Sequence, residues 1–378
     1  MKVIVLGCGL VGGPMAMDLA NDNNLEVSVA DINGDALAQI SKRATVQTIQ
    51  TDLSKIEKLA ELVSGFDYVV NAVPGFMGFK TLKALIEAKK NVVDIAFFPE
   101  DMFELHELAI QNDVTVISDI GVAPGMSNLL VGYADHFMDK TEKATIYVGG
   151  LPKVRTWPYE YKAVFSPVDV IEEYTRPARY IENGKEVIKP ALSEPELLDF
   201  EGVGTLEAFN SDGLRSLATT IDAPNMIEKT LRFPGHIEIM RIFRETGFFN
   251  QEEIEVNGVM VKPLDFTAKL LFPKWKLKEG EEDLTIMKII VEGIKEGRRT
   301  RYTYDLLDSY DPKTRVHSMA RTTGYTATMA LRMLMKGLYK RKGVSAPEFI
   351  GRQPECVEFM LQGLKERGVV YRESIDGI

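Results

Sequence analysis

One short segment constrains this chain more than any other: Gly7-Cys8-Gly9-Leu10-Val11-Gly12. The apolar run Val3-Ile4-Val5-Leu6 precedes it, and a helical pattern over residues 9–20 contains its end. A continuous apolar run of this length reads as a strand buried on both faces. Glycines at this spacing between strand and helix have three separate uses. The first permits a tight turn, the second lets a pyrophosphate reach the backbone, and the third lets the helix pack closely on the strand. The helix start adds free N–H groups and the positive end of its dipole, both suited to phosphates. Gly7, Gly9, Leu10, Val11 and Gly12 therefore predict a dinucleotide cradle. The plain alternative is a βα turn without a ligand.

The same alternation continues for about the first 125 residues. Strand-like runs at 2–6, 26–30, 46–50, 68–72, 91–95 and 115–118 are separated by helical patterns. Alternation of this kind predicts an α/β fold, with a Rossmann-type doubly wound parallel sheet over residues 1–125. Beyond Pro124-Gly125 the pattern changes. Asn257-Gly258 and Glu296-Gly297 mark hairpins, and residues 126–318 predict an α+β substrate-binding and dimerisation domain with a mainly antiparallel sheet. The charge-rich stretch 274–283 reads as a solvated loop. The apolar helical pattern from 320 to 336 predicts that residues 319–378 are C-terminal helices packing back on the first domain. A length of 378 residues fits two domains.

Composition narrows the partners. The formal net charge is −10, which excludes a general nucleic-acid-binding surface, because phosphate contacts need a basic face. No run approaches the ~20 apolar residues of a membrane span, so the expectation is a soluble cytoplasmic protein. The two cysteines, Cys8 and Cys356, and the four histidines show no metal-ligand spacing. No metal is expected.

Several polar residues fall at strand ends, the edge where ligands bind in such sheets. Asp31, 19 positions after Gly12, predicts an acceptor for adenosine ribose hydroxyls. It would repel a 2′-phosphate, which favours NAD over NADP; a turn cap before Asn33-Gly34 is the other use of such a residue. Asp52 serves either the adenine edge or a turn cap. Ala72, Val73 and Pro74 predict a wall for the nicotinamide ribose. Asp94 and Asp119 either hold a substrate ammonium and move protons, or cap the helices that follow.

Longer segments carry a family resemblance that spans nearly the whole chain. They include Gly121-Val122-Ala123-Pro124-Gly125-Met126-Ser127-Asn128, Gly149-Gly150-Leu151-Pro152 and Tyr161-Lys162-Ala163-Val164-Phe165-Ser166. Tyr174-Thr175-Arg176-Pro177-Ala178-Arg179, Leu206-Glu207-Ala208-Phe209-Asn210-Ser211-Asp212-Gly213-Leu214-Arg215, Glu228-Lys229-Thr230-Leu231-Arg232-Phe233-Pro234-Gly235-His236 and Met319-Ala320-Arg321-Thr322-Thr323-Gly324-Tyr325 complete them. Together with the glycine motif they resemble the saccharopine dehydrogenase family. Within it the chain is most similar to members that oxidise the ε-carbon of L-lysine with NAD, releasing ammonia. Saccharopine-forming members usually carry Asp where this chain has Ala123. The resemblance also implies a homo-oligomer, a dimer being expected, with a small amino-acid substrate.

The implied chemistry assigns roles. Hydride loss from the ε-carbon needs a neutral amine, and a free ammonium titrates near ~10.4, so the site must take a proton. His236, in a Pro-Gly turn and with an ordinary value near ~6.5, is the first proton mover expected; a buried histidine satisfying a backbone group is the other reading. Arg215 would bind the substrate α-carboxylate bidentately. Asp212, placed one helical turn earlier, would orient Arg215, receive the α-ammonium, or form a surface ion pair. Tyr161 and Lys162 would line the pocket, Lys162 with a possible proton-transfer role. The alternatives within this chemistry are saccharopine and carboxynorspermidine dehydrogenases. Outside it stands a non-catalytic NAD(H)-binding sensor on the same fold.

Overall fold

The computed structural model describes residues 1–278 and 280–378, and the chain divides into two compact units. The first comprises Met1–Phe137 and Met319–Tyr371; the second comprises Met138–Ser318 and Arg372–Ile378.

The first unit is built on a seven-stranded sheet. Its order is Gly343–Ser345, Thr115–Ile117, Asn91–Asp94, Tyr68–Asn71, Lys2–Leu6, Glu26–Asp31, Gln47–Gln50, and every pairing is parallel. Strand order reverses on either side of Lys2–Leu6. Ligands bind beyond the carboxyl ends of strands at such a reversal, which is where Gly7 and Ala72 stand. Ile4, Leu6, Val69, Val92 and Val116 are fully buried in the core, as continuous apolar strands between two helical layers must be.

The first unit extends past the boundary expected at residue 125. The helix Met126–His136 belongs to it and packs on the helix Pro347–Gly351. A Cβ on Gly132 would lie 2.5 Å from the Glu348 carbonyl oxygen, and one on Gly351 would lie 2.1 Å from that of Leu129. Two glycines thus let these helix backbones touch. The helix Ser318–Met335 continues into this unit, but the last strand, Tyr371–Gly377, pairs in the other unit's sheet. A wholly helical tail is therefore not what 319–378 forms.

The second unit holds a nine-stranded mixed sheet. Its main path runs Glu196–Phe200, Gly204–Asn210, Asn225–Arg232, Lys140–Pro152, Asp283–Lys295, Arg298–Ser309, Tyr371–Gly377, with Ala178–Glu182 and Lys185–Lys189 branching off. Only Asn225–Arg232 with Lys140–Pro152 is parallel among the registered pairs of this sheet. Asn183-Gly184, Asn257-Gly258 and Glu296-Gly297 close hairpins with both residues at positive φ, from 51° to 80°, the conformation that matches the twist of the strands they join. Aromatic and aliphatic side chains, among them Tyr161, Tyr174, Phe209, Ile237 and Trp275, form a core under the helices Pro167–Thr175, His236–Thr246 and Pro263–Trp275. The stretch 274–283 is not uniformly a solvated loop. Lys274 lies in a helix, Glu279 lies outside the described residues, and Asp283 is fully buried, accepting from the Ser318 N–H at 2.7 Å. Among the described residues no helix is long and apolar enough to cross a membrane.

Candidate active site

The glycine loop follows the strand Lys2–Leu6 and leads into the helix Gly12–Leu19. Gly7 sits at φ +104°, and a Cβ there would lie 2.6 Å from the Ala72 carbonyl oxygen. A Cβ on Gly12 would lie 2.1 Å from the Gly7 carbonyl oxygen. Neither position admits a side chain. Around Gly9, by contrast, nothing lies within 4 Å of where a Cβ would point. This open approach beside a helix start fits a pyrophosphate. Leu10 is exposed and Val11 takes the N-cap position.

Asp31 ties the cradle together. One carboxylate oxygen accepts from the Cys8 N–H at 2.6 Å, the other from the Asn33 N–H at 2.7 Å. An ionised carboxylate has about four acceptor positions, so capacity is left for ribose hydroxyls. Burial, helped by the Asp31 charge, pushes the Cys8 thiol up to about 11; it is no thiolate near neutral pH. Ala72 donates its N–H to the Leu6 carbonyl, Val73 is buried, and Pro74 caps the helix Gly75–Glu87. Asp52 accepts from both the Ser54 hydroxyl and the Ser54 N–H, which lower its carboxyl below the usual value. That is a turn cap, the second of its two expected uses.

Asp94 is fully buried and accepts from the Ala96 N–H at 2.6 Å and the Asn71 side chain at 3.3 Å. It braces the turn after its strand. Asp119 follows the strand Thr115–Ile117 at φ +55° and is buried. The loop beyond folds back on itself, Gly121 N–H donating to the Pro124 carbonyl and Met126 N–H to the Gly121 carbonyl. Gly125 permits this at φ +141°, and half-buried Ala123 offers the loop no carboxylate.

In the second unit the geometry corrects several expectations. His236 is not a presented base. It begins the helix His236–Thr246 with its ring fully buried, Nδ1 2.7 Å from the Tyr159 carbonyl and Nε2 2.8 Å from the Tyr174 hydroxyl. A carbonyl only accepts, so Nδ1 carries the proton and Nε2 accepts from Tyr174. Burial and the neighbouring Arg232 cation lower the imidazole to about 3. Lys162 donates to the Lys274 carbonyl at 3.1 Å, and its ammonium lies 3.7 Å from Glu281. Tyr161 lines no open pocket: it is 1% exposed, with the Arg232 guanidinium 4.6 Å from its ring centroid. Asp212 is not on a helix with Arg215. It holds Arg179 in a two-pronged pair at 3.0 and 3.2 Å, while Arg215, also buried, stands at φ +52° before the short helix Leu217–Thr220.

Two buried ionisable residues organise this unit; both fall in the family-like segment 228–236, and neither was assigned a role of its own from sequence. Arg232 is 1% exposed, donates to the Tyr174 hydroxyl at 3.3 Å and pairs with Glu173 at 2.5 Å. Glu228, four residues earlier on the same strand, is 3% exposed. The available signal was the run Glu228-Lys229-Thr230-Leu231-Arg232, three charged residues inside a strand that the structure buries from Glu228 to Arg232.

Comparison with known proteins places these features in a family. Residues 3–117 match the saccharopine dehydrogenase NADP binding domain, and residues 121–369 match the saccharopine dehydrogenase C-terminal domain. The mitochondrial alpha-aminoadipic semialdehyde synthase of Mus musculus is 26% identical, over 98% of this chain and 47% of its own. The chain thus spans about half the length of the first such relatives. A saccharopine dehydrogenase [NADP(+), L-glutamate-forming] of Pyricularia oryzae is 23% identical over 99% of both chains, and a carboxyaminopropylagmatine dehydrogenase of Synechocystis sp. is 23% identical over 100% and 98%. Among solved structures, the apo saccharopine dehydrogenase (L-Glu forming) of Saccharomyces cerevisiae superposes with a TM-score of 0.81 at 19% identity, covering 99% of each chain. At that identity the likeness concerns the fold.

Proposed function

From its membership of the saccharopine dehydrogenase family, we propose that this chain is a nicotinamide-dependent amino-acid dehydrogenase that oxidises the ε-carbon of L-lysine with NAD, giving 2-aminoadipate 6-semialdehyde and ammonia. The observation that carries the lysine reading is Ala123. It stands in the Gly121–Gly125 turn where saccharopine-forming members usually hold Asp, and it contributes no charge for a larger substrate's second arm.

The first unit's part is to hold the dinucleotide. The open space at Gly9 and the Gly12–Leu19 helix start would hold the pyrophosphate, and Asp31 would accept from the adenosine ribose, which favours NAD. A nicotinamide dinucleotide held there would supply the hydride acceptor. Arg215, in the second unit, holds the substrate α-carboxylate. His236 cannot take the amine proton, since both ring nitrogens are engaged. Asp94 is likewise committed to Ala96 and Asn71. Asp119, at the ligand-facing strand end, is the proton acceptor in this reading. The substrate is a small molecule, the protein acts as a homodimer in the cytoplasm, and neither nucleic acid nor membrane is a partner.

A second reading, oxidation of a secondary amine bearing another carboxylate arm, is favoured by the activities named for the relatives. One assay separates them: NADH or NADPH formation by purified protein offered L-lysine or saccharopine. Reduction of NAD with lysine, with ammonia released in equal amount, is the expected result. Turnover of saccharopine alone would overturn the lysine assignment.

A further inference from the structure

Glu228 lies on the strand Asn225–Arg232 and is 3% exposed. Its side chain accepts from the Ser211 hydroxyl at 2.7 Å, and that hydroxyl lies 2.7 Å from the Thr230 hydroxyl. A Cβ on Gly213 would stand 2.3 Å from the Glu228 carboxyl carbon and 2.5 Å from Oε2. The carboxyl therefore fills the space that a side chain at 213 would need, and the Gly213 N–H donates to it. Its own backbone carbonyl accepts from the buried Tyr180 hydroxyl. The loop 211–215 has no helix or strand of its own and wraps this one group.

The same loop carries Asp212, clamped on Arg179, and Arg215 in a left-handed backbone conformation. We propose that Glu228 is a positioning residue, whose buried carboxyl sets the loop 211–215 so that Arg215 meets the carboxylate of the amino-acid substrate. This rests on the role given to Arg215 under the proposed function.

The charge on Glu228 makes the idea testable. Burial pushes its carboxyl up to about 8; the Ser211 hydroxyl opposes the push, the charges of Glu173 and Asp212 add to it, and the Gly213 N–H opposes it. The surroundings on every side are then Tyr180 from one strand, Glu173 with its partner Arg232 from the helix Pro167–Thr175, Asp212 with Arg179 from the loop, and Thr230 on its own strand. Neighbouring Lys229 is turned to Glu196 and the Glu194 carbonyl. Near neutral pH Glu228 is a neutral acid. Above about 8 it ionises, which puts a new negative charge against Ser211, Asp212 and Gly213 and so disturbs the loop that sets Arg215.

The experiment is steady-state kinetics of the full chain, wild type, Glu228→Gln and Glu228→Ala, from about pH 6.5 to about pH 9.5, with NADH affinity followed by its fluorescence. The probe is L-lysine, or saccharopine if that is what the wild type oxidises. At neutral pH, Glu228→Gln keeps the shape and is expected to hold KM within about threefold. Glu228→Ala is expected to raise KM roughly tenfold or more with NADH affinity unchanged. The wild-type KM divided by the Glu228→Gln KM is expected to rise with a midpoint near pH 8, since titration of the substrate itself cancels in the ratio. A ratio flat through pH 8 overturns the proposal, and this arm decides even if Glu228→Ala does not fold. Equal loss of NADH affinity in Glu228→Ala also counts against it. A wild type inert toward every amine offered would overturn the proposed function and this inference together; an active wild type with a flat ratio overturns the inference alone.

Discussion

Gly235 turns the chain at φ +96°, and the ring of His236 goes inward rather than out. Its environment then decides its chemistry. An imidazole lowered to about 3 by burial and by Arg232 stays neutral in the folded protein, whereas in the unfolded chain it titrates near ~6.5. Between those values only the unfolded chain takes up the proton. The stability His236 contributes is therefore complete above about pH 6.5 and is lost as the pH falls toward 3. His236→Phe is expected to flatten this acid limb of the stability curve, read by urea denaturation at a series of pH values. No inflection near neutrality in the activity of the wild type should disappear with it. Sequence alone leads to the three glycines because each meets a steric demand of its own immediate neighbours in the fold. It misleads at His236 and Asp212 because their partners lie far along the chain, Tyr174 at a separation of 62 residues and Arg179 at 33. Spacing within a motif carries no information about such pairs.

The helix behind the glycine loop is held by charge. Asp18 on Gly12–Leu19 is 7% exposed and accepts from Arg332 at 2.6 Å, from Arg367 at 2.7 Å and from the Thr328 hydroxyl at 2.5 Å. Arg332 reaches Asp22 as well, at 2.8 Å. Removing one partner of such a buried group strands the others, at a cost of about 3–5 kcal/mol. Asp18→Asn is therefore expected to lose that much in equilibrium denaturation, and to weaken binding of the nicotinamide dinucleotide, NAD or NADP, because the helix start is no longer fixed. Elements with a local cause were legible: the alternating strands and helices of the first unit, and the hairpins announced by Asn257-Gly258 and Glu296-Gly297. The helix His236–Thr246 was not, although Ile237, Met240 and Phe243 recur at helical spacing, because it begins at a Pro-Gly turn that reads as a loop. The final strand Tyr371–Gly377 was not either. Its side chains are mostly exposed and polar, so its only signature is the sheet edge that receives it.

Neither unit is a continuous piece of chain. The first takes its seventh strand, Gly343–Ser345, and the arginines that face Asp18 from residues after 318. A chain cut after residue 318 is expected to be insoluble. Asp18 would be buried without its cations, and the edge of Thr115–Ile117 would be open to pairing with other molecules. Soluble yield and susceptibility to limited proteolysis would check this, and a soluble, protease-resistant product would contradict it. The composition pointed to two domains, but not to this interleaving, since amino-acid counts and local periodicity are blind to which end of the chain completes which sheet.

The Asp18 contacts to Arg332 and Arg367 join residues 314 and 349 positions apart. On a ribosome, the strand Lys2–Leu6 and the helix behind it emerge more than three hundred residues before these partners appear. The same late-emerging stretch supplies Tyr371–Gly377, which covers the open side of Arg298–Ser309. Both sheets thus remain unfinished until residues 319–377 have been made, so the strands synthesised first stay without their last partners for most of the synthesis of these two units, whatever the size of either.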